Sequence, residues 1–389
     1  MKKYIFVLLI SLTLGYSAQS ALAAPPPEIQ NEANSSFIFR FSSSVAVDEM
    51  PGLAASLTAA HNGTLRHVFT HAVKGFSAAM SRIDATNLVS ENAEVTQLIN
   101  NGVGHVPGAA GGAKGGKGGK GKPQPAPTGQ IESWGVSVVG NSHDAASDGI
   151  TRHAWIIDSG IDDYYDGTEL NIGEGMNFVT KGQDTTDDTN GHGTHIAGIL
   201  AAIDNNTGVL GIAAGATVHP VRVLHKNLWG TVDAIIAGVD YVAGKIQADY
   251  PNDKHVINMS LTIEVTGQEA AAALLNSSIE AVANTGINFA VCAGNDATDA
   301  SLYAPANLLH NNVYTVASID EAGHLAADSN YGPEIDFVAP GVAIESLKPG
   351  GGTWFWSGCS MATPHVAGIL LFQTPTGQDI NVGYDLASF

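Results

Sequence analysis

Strand-like and helix-like segments alternate through the later part of the chain, and this alternation limits the fold more than any other feature. The strand-like segments are short, apolar and rich in β-branched residues: 153–157, 218–224, 256–259, 287–293 and 313–317. The helix-like segments carry apolar residues at helical spacing: 195–203, 232–242 and 268–283. Strands that are apolar throughout are typical of parallel sheets, whose crossovers are helical. The region from residue 129 to 389 therefore predicts an α/β domain with a mostly parallel sheet and helices on both faces.

A run rich in Gly, Lys and Pro separates this region from the N-terminal part of the chain. Residues 107–128 contain almost no side chains that can form a core, so we expect a flexible linker and a domain boundary there. A basic run can bind polyanions, but a solvated tether that is open to proteases is the simpler interpretation.

The N-terminal part, residues 24–106, has the pattern of a small α+β unit. Its segments follow the order β-α-β-β-α-β: 37–41, 50–60, 64–69, 75–80, 83–89 and 95–99. This order predicts a ferredoxin-like fold. A unit of this size suits an interaction module, a chaperone-like segment or an inhibitor.

Residues 1–23 have the features of a secretory signal. Lys2 and Lys3 precede an apolar run over residues 4–14, and small residues lead up to Ala23. This pattern predicts cleavage near Ala23 and secretion, to the extracellular space or the periplasm. The apolar run is shorter than the roughly 18 to 20 residues that span a bilayer, so no membrane anchor is expected after cleavage.

The charge balance argues against nucleic acid as a partner. The net charge is −20 and only 14% of the residues are charged. Polyanion binding needs a basic surface, which this composition does not provide outside the linker.

Four polar residues fall where the predicted strands end or the predicted helices begin: Asp158, His192, Asn295 and Ser360. Each has a simple alternative, since a serine before a helix is usually an N-cap and an Asp or Asn after a strand is usually a turn residue. In a parallel sheet, however, the carboxyl ends of the strands meet at one edge. An acid, an imidazole, an amide and a hydroxyl at that edge predict a nucleophilic serine with its base, orienting acid and oxyanion donor.

Two other chemistries fit these residues less well. His192 and His195 form a His-x-x-His pair, but helical zinc motifs space their histidines by four and place a glutamate between them. An α/β-hydrolase esterase is disfavoured because the residues around Ser360 lack the second glycine of G-x-S-x-G, and because the acid precedes the serine.

The motifs around these four residues resemble those of the subtilisin-like serine peptidases, the subtilases. The resemblance covers residues 130–371, and its blocks are IIDSGID at 156–162, GHGTHIAG at 191–198, AGN at 293–295 and GCSMATPH at 358–365. It implies a monomeric, secreted serine endopeptidase that acts on protein or peptide substrates. Ser360 would be the nucleophile, His192 the proton carrier and Asp158 its orienting acid, with Asn295 and the Ser360 N–H forming the oxyanion hole.

The same resemblance implies where the substrate lies. The strand at residues 257–261 and the segment 228–230 match the two strands that flank an extended substrate. The implied contacts are Ser260, Leu261, Thr262, Leu228 and Gly230. Thr262 and Ile263 stand where the family usually has two glycines, so we expect a narrower primary pocket.

The resemblance also implies a calcium ion. Residues 203–211, IDNNTGVLG, resemble the calcium loop of bacterial subtilisins, with a plain Asn-Gly turn as the alternative. The implied oxygen ligands are the carbonyls of Ile203, Thr207 and Val209 and the side chains of Asn205, Gln130 and either Asp166 or Glu169.

The N-terminal unit resembles the inhibitory propeptide of the family. Residues 74–78, KGFSA, and 95–99 match its last strands, which implies a folding template and inhibitor that the enzyme itself removes. Residues 104–106 fit the end of the propeptide, whereas 130–135 resemble a mature N-terminus, so the cut is left open between them.

Two departures from the family pattern lie close to Ser360. Cys359 replaces the usual threonine, and Cys292 lies three residues before Asn295. A disulfide and two free thiols are both open, and we favour free thiols. The C-terminus is shorter than in the family, with a polar tail over residues 373–389 that should leave apolar surface exposed. An alternative function is therefore an impaired or truncated subtilase that acts as a secreted peptide-binding protein.

Overall fold

The computed structural model describes residues 24–108, 129–179 and 185–389. The predicted signal and most of the predicted linker lie outside the described residues. Residues 24–108 form an N-terminal domain whose elements are α1 (Pro27–Asn34), β1 (Ser36–Phe41), α2 (Met50–Ala60), β2 (Thr64–Phe69), β3 (Gly75–Ala79), α3 (Arg82–Glu91), β4 (Val95–Asn100) and β5 (Val103–His105).

The N-terminal domain has the predicted β-α-β-β-α-β order. Its antiparallel sheet runs β2-β3-β1-β4, and stacked rings of Phe39 and Phe76, 4.8 Å apart, lie in its core. Helix α1 was not predicted from the sequence. It begins with a proline in its first turn and buries Ile29 and Ala33, because these two residues pack against Trp229 of the other domain.

Residues 129–389 form the C-terminal domain. Its first half contains α4 (Trp134–Val138), β6 (His143–Asp144), β7 (Arg152–Asp158), β8 (Asn171–Ile172), β9 (Met176–Asn177), α5 (His192–Ala201), β10 (Ala213–Ala214), β11 (Thr217–Arg222), β12 (Trp229–Thr231), α6 (Val232–Asp249) and β13 (Lys254–Met259). Its second half contains β14 (Ile263–Glu264), α7 (Glu269–Ala283), β15 (Asn288–Cys292), β16 (Tyr303–Ala304), β17 (Val313–Ile319), β18 (Phe337–Pro340), β19 (Ile344–Leu347), β20 (Thr353–Trp356), α8 (Cys359–Leu370), β21 (Thr376–Asp379) and β22 (Asp385–Ser388).

The central sheet confirms the predicted α/β architecture. Its order is β21-β22-β18-β17-β15-β13-β7-β11-β8, and all neighbours except β21 and β22 are parallel. All residues of β7 are buried. Ala154 and Ile156 belong to the core cluster that includes α5 and α8, whereas Trp155 and Ile157 belong to the cluster that includes α6 and α7. The alternation of side chains along a strand thus places one pair of helices on each face.

The C-terminal tail differs from the prediction. Instead of a polar tail, β21 and β22 form a hairpin, and β22 extends the sheet by pairing with β18. Leu386 and Ala387 are buried, and the Phe389 ring packs against Phe372 and His143. The expectation of uncovered apolar surface was wrong because so few apolar residues, spread over two short strands, give no clear periodicity.

The two domains meet along one side of the C-terminal domain. Strand β2 packs against α6, β4 packs against α7 and β5 pairs with β12. Among the described residues, no helix has the length and apolar character needed to cross a membrane.

A buried ion pair lies in this interface. Arg66 donates from Nε to Asp233 Oδ2 at 2.7 Å and from a terminal nitrogen to Glu32 Oε1 at 2.7 Å. Asn101 donates to Asp233 Oδ1 at 2.6 Å. Burial alone would raise the pKa of Asp233, but the neighbouring His67 and the guanidinium of Arg66 together outweigh it and the pKa is lowered. The carboxylate is therefore charged in the docked structure, and its pairing with Arg66 exists only while the two domains are docked.

Candidate active site

Asp158 and His192 form a buried hydrogen-bonded pair at the carboxyl edge of the sheet. Asp158 ends β7 and is 0% exposed, and His192 is 1% exposed. His192 Nδ1 lies 2.8 Å from Oδ1 and 2.9 Å from Oδ2 of Asp158. Because a carboxylate accepts, Nδ1 carries the hydrogen, and His192 Nε2 is the atom left to take up a proton. The structure thus joins two of the predicted residues.

Asp188 organises the start of α5, and sequence reasoning missed it. Its Oδ1 accepts hydrogen bonds from Ser159 Oγ and the Gly191 N–H, and its Oδ2 accepts from the N–H and hydroxyl of Thr194. These bonds satisfy N–H groups at the helix N-terminus, which have no partner within the helix. The signal in the sequence is an Asp four residues before the histidine, in DTNGH.

Ser360 is the second residue of α8, which packs against α5. Its side chain is buried, and its Oγ donates to the Ser260 carbonyl at 3.3 Å. Among the described residues, His192 Nε2 has no hydrogen-bond partner. The expected hydrogen bond between serine and histidine is therefore not formed in this conformation, although the two helix starts lie at the same edge of the sheet.

The side-chain amide of Asn295 is held in one orientation by hydrogen bonds at both of its ends. Its Oδ1 accepts from the Cys359 N–H at 2.8 Å. This bond directs Nδ2 towards the cleft, the groove between β12 and residues 260–262. Nδ2 donates to the carbonyl oxygen of Pro107 at 3.1 Å. Gly358 has φ +140°, and a Cβ there would lie 2.8 Å from Asn295 Nδ2. A glycine is needed at this position for α8 to begin so close to the amide.

Residues 103–107 of the N-terminal domain lie in the cleft as an extended strand. β5 pairs antiparallel with β12, with Gly104 opposite Gly230. The His105 N–H donates to the Thr262 carbonyl at 2.9 Å, and the Thr262 N–H donates to the His105 carbonyl at 2.8 Å. The Val106 N–H donates to the Leu228 carbonyl at 3.1 Å.

The five predicted substrate contacts therefore divide into two groups. Thr262, Leu228 and Gly230 pair with this strand. Ser260 contacts Ser360, and Leu261 is buried in the same hydrophobic cluster as Val106.

Cys292 and Cys359 form a disulfide, with their Cα atoms 5.3 Å apart. The preference for two free thiols was wrong, because strand β15 ends beside the start of α8 and the sequence does not show that separation. The bond ties the segment that carries Asn295 to the residue before Ser360.

The predicted calcium loop brings most of its expected ligands together. The Nε2 of Gln130 donates to the carbonyls of Ile203 at 2.7 Å and Val209 at 3.1 Å, so two carbonyl oxygens converge as they would on a cation. Thr207 Oγ1 contacts both Asn205 Oδ1 and Glu169 Oε1 at 2.8 Å.

The carboxylate beside this loop is that of Glu169. Its Oε2 is buried without a hydrogen-bond partner among the described residues, and burial raises its pKa. An orphaned carboxylate oxygen beside convergent carbonyls fits a cation. Asp166 instead accepts the Ile172 N–H, outside the loop.

Two other groups of possible metal ligands lie outside this loop. Asp162, Asp163 and Asp187 offer carboxylate oxygens within 4.8 Å of one another, and burial followed by the neighbouring carboxylates raises the pKa of Asp187. His195, the second member of the His-x-x-His pair, donates Nε2–H to the Trp354 carbonyl and is fully buried, which lowers its pKa to about 3. It is a neutral core histidine.

Comparisons with known proteins agree with the class that this fold defines, the subtilisin-like α/β proteins. The family described as Peptidase_S8, Subtilase family, matches residues 147–374. The chain belongs to this family.

Individual relatives cover only part of the chain. It is 35% identical over 242 residues to a thermostable alkaline protease of Halalkalibacterium halodurans, which is 62% of each protein. It is 35% identical to Subtilisin Savinase of Lederbergia lenta, over 61% of this chain and 82% of that protein. A solved cold adapted subtilisin-like serine proteinase is 32% identical with a TM-score of 0.51, covering 62% of this chain and 83% of that one. The chain thus spans less than two thirds of the alkaline protease, and 48% of Subtilisin-like protease 1 of Arthroderma otae.

Removing the disulfide should destabilise the protein substantially. The bond closes a loop with a sequence separation of 67 residues, for which the chain-entropy account gives about 4 kcal/mol as an upper value. We expect dithiothreitol to lower the urea midpoint of the chain. A Cys292→Ser, Cys359→Ser variant should start at the lower midpoint and not respond to reductant. Equal midpoints with and without reductant would contradict the assigned bond.

Docking of residues 103–107 should weaken as the pH falls. His105 is 3% exposed, and burial lowers its pKa from 6.5 to about 4. An undocked His105 binds a proton that the docked one excludes. The contribution of neutral His105 to the stability of the docked state is therefore complete above pH 6.5 and is lost as the pH falls towards 4. The loss approaches about 3 kcal/mol.

The matched control for this pH effect is His105→Phe, which keeps a ring at this position but cannot titrate. In chains that also carry Ser360→Ala, so that the chain stays intact, unfolding free energies measured from pH 7 to 4.5 should fall more steeply with His105 present than with His105→Phe. Parallel curves would show that His105 does not titrate in this window.

Proposed function

We propose that the protein is a secreted serine endopeptidase that is held inactive by its own N-terminal domain. Ser360 Oγ attacks the carbonyl carbon of the scissile bond and transfers its proton to His192 Nε2. Asp158 keeps the hydrogen on Nδ1 and stabilises the imidazolium. His192 then protonates the leaving amine, and water hydrolyses the acyl-enzyme by the reverse proton path.

The observation that carries this proposal is the hydrogen bond from Asn295 to Pro107. The amide donates to the carbonyl of a strand held on both sides, as an oxyanion hole does to a substrate. The same amide stabilises the tetrahedral oxyanion, together with the Ser360 N–H. Loss of such a donor costs roughly 10²–10³ in turnover, a value established on a subtilisin.

The position of residues 103–107 also supports the role of propeptide for the N-terminal domain. A segment that fills the cleft of its own chain competes with any substrate, since its effective concentration is high. The end of this unit is then Pro107, one residue beyond the boundary at 106 expected from the sequence. Proteolysis within the chain releases the domain, and the signal at residues 1–23 directs the protein out of the cell. The mature enzyme acts as a monomer on protein or peptide substrates.

Activity should depend on Ser360 and not on a neighbouring serine. We expect the full-length chain to cut itself into two fragments and to react with a fluorophosphonate probe. Ser360→Ala should remain intact and unlabelled, with turnover of casein reduced on the order of 10⁶-fold, as measured for a subtilisin nucleophile. Ser357→Ala, three residues away and exposed, is the matched control and should behave as the parent.

The alternative, a secreted peptide-binding protein without activity, makes the opposite prediction. It draws support from the Ser360 hydroxyl, which bonds to Ser260 rather than to His192. An unmodified chain that stays intact and takes up no probe would favour this function and overturn the endopeptidase.

We further propose that the loop at residues 203–209 binds a structural calcium ion. Gln130, Asn205 and Glu169 would supply side-chain oxygens, and Ile203, Thr207 and Val209 would supply carbonyls. Bound calcium would neutralise the partly buried Glu169 carboxylate and tie Gln130, two residues after the linker, to the loop after α5.

Calcium should stabilise the chain, and Glu169 rather than Asp166 should be required. At a calcium concentration 100 times the Kd, the gain is about 3 kcal/mol, seen as a higher melting temperature that EDTA removes. Glu169→Gln should abolish this response, whereas Asp166→Asn should retain it. A melting temperature that is indifferent to EDTA, or a response lost only in Asp166→Asn, would contradict the assignment.

A further inference from the structure

The strand in the cleft shows which substrate residues the site contacts. The carbonyl oxygen of Pro107 accepts the hydrogen bond from Asn295 Nδ2, so Pro107 is the residue before the cleaved bond. Counting back along the chain, His105 is the third and Gly104 the fourth residue before that bond. This assignment rests on the proposed endopeptidase function.

Gly104 lies where the cleft has no room for a side chain. A Cβ at this position would lie 2.8 Å from Ile235 Cδ1, 3.2 Å from Ile263 Cγ1 and 3.3 Å from the Thr262 carbonyl oxygen. Gly104 does not have a left-handed backbone conformation, so its backbone would accept any L-residue. Space, and not backbone conformation, is what requires glycine here.

The two isoleucines that close this position cannot move aside easily. Ile235 and Ile263 are both 0% exposed and belong to the core cluster around α6 and α7. A rotamer change of either side chain would disturb a packed core, which should cost on the order of a tenfold loss. Ile263 therefore restricts the fourth residue, whereas sequence reasoning had assigned the narrowing to the primary pocket.

The third residue contacts an aromatic surface. The imidazole of His105 stacks on the Trp229 indole, with centroids 4.5 Å apart and an angle of 19° between the planes. His105 Nε2 is buried without a hydrogen-bond partner among the described residues. The contact thus depends on a flat ring and not on a polar group. Helix α1 also packs on Trp229, and a separate substrate would not bring this helix with it. The stacking of a ring on Trp229 is the contact that such a substrate would retain.

We propose that the cleft selects peptides with glycine at the fourth residue and a flat ring at the third residue before the cleaved bond. Ile235 and Ile263 impose the first requirement and Trp229 the second. The substrate class is a polypeptide segment of the form Gly-ring-x-x, extended between β12 and residues 260–262.

The first test uses the processed enzyme and quenched fluorescent octapeptides based on residues 103–110, VGHVPGAA. When leucine replaces the glycine that is fourth before the cleaved bond, kcat/KM should fall by at least about tenfold. A misfit of a single methylene in a pocket already has an effect of this size. Phenylalanine at the third position should be cleaved at least as well as histidine, and alanine several-fold less well.

Enzyme variants assign these preferences to named residues. Ile263→Val and Ile263→Ala should improve cleavage of the leucine peptide in that order, relative to the glycine peptide. Trp229→Ser should remove the preference for a ring at the third position while leaving the preference for glycine at the fourth. Equal kcat/KM for the glycine and leucine peptides, on an enzyme that the fluorophosphonate labels, would overturn the proposal and leave the endopeptidase function intact.

The second test does not require turnover. In the full-length Ser360→Ala chain, Gly104→Ala and Gly104→Leu should lower the melting temperature progressively. Adding Ile263→Ala should reduce the cost of Gly104→Leu, so that the double-mutant cycle is non-additive. Additive shifts would overturn the proposal even if the unmodified chain proved inactive, so the failure of the proposal and the failure of the function are distinguished.

Discussion

A buried carboxylate at the end of a fully buried strand is the constraint on which the site depends. Asp158 is 0% exposed, and an ionised group without solvent must be compensated by hydrogen bonds. The Ser159 N–H and His192 Nδ1 provide them. The bond from His192 Nδ1, which helps to make burial of the charge tolerable, also fixes the ring of His192 and leaves Nε2 without a hydrogen-bond partner among the described residues. Asp188 and the glycines around His192 then serve to bring the start of α5 to this point.

The N-terminal domain is held by two kinds of contact with different consequences. The pairing of residues 103–107 uses backbone groups, which any extended peptide can supply. The Arg66–Asp233 pair is specific to this chain, because a free peptide does not carry it. A buried ion pair contributes little net stability when intact, yet removing one partner is costly. The Arg66–Asp233 pair therefore favours one docked arrangement of the two domains, while residues 103–107 fill the cleft.

Much of the architecture was predictable because apolar runs mark buried parallel strands. Asp158, His192, Asn295 and Ser360 all lie at the expected ends of elements, and the order of the N-terminal unit was correct. The disulfide, the hydroxyl direction of Ser360 and the packing of Ile263 against Gly104 were not predictable. Each depends on separations across the fold of a few ångströms, which residue spacing does not encode. Helix α1 and strands β21 and β22 were missed because they are short and stabilised by tertiary packing more than by their own pattern.

The position of the first cut in the full-length chain tests the central claim most directly. Samples taken early in self-processing would be analysed by intact mass and N-terminal sequencing. If residues 103–107 lie in the cleft as the acyl side of a substrate, the first large fragment begins at Gly108. A first fragment that begins within residues 109–135, with none that begins at Gly108, would contradict this account of the site.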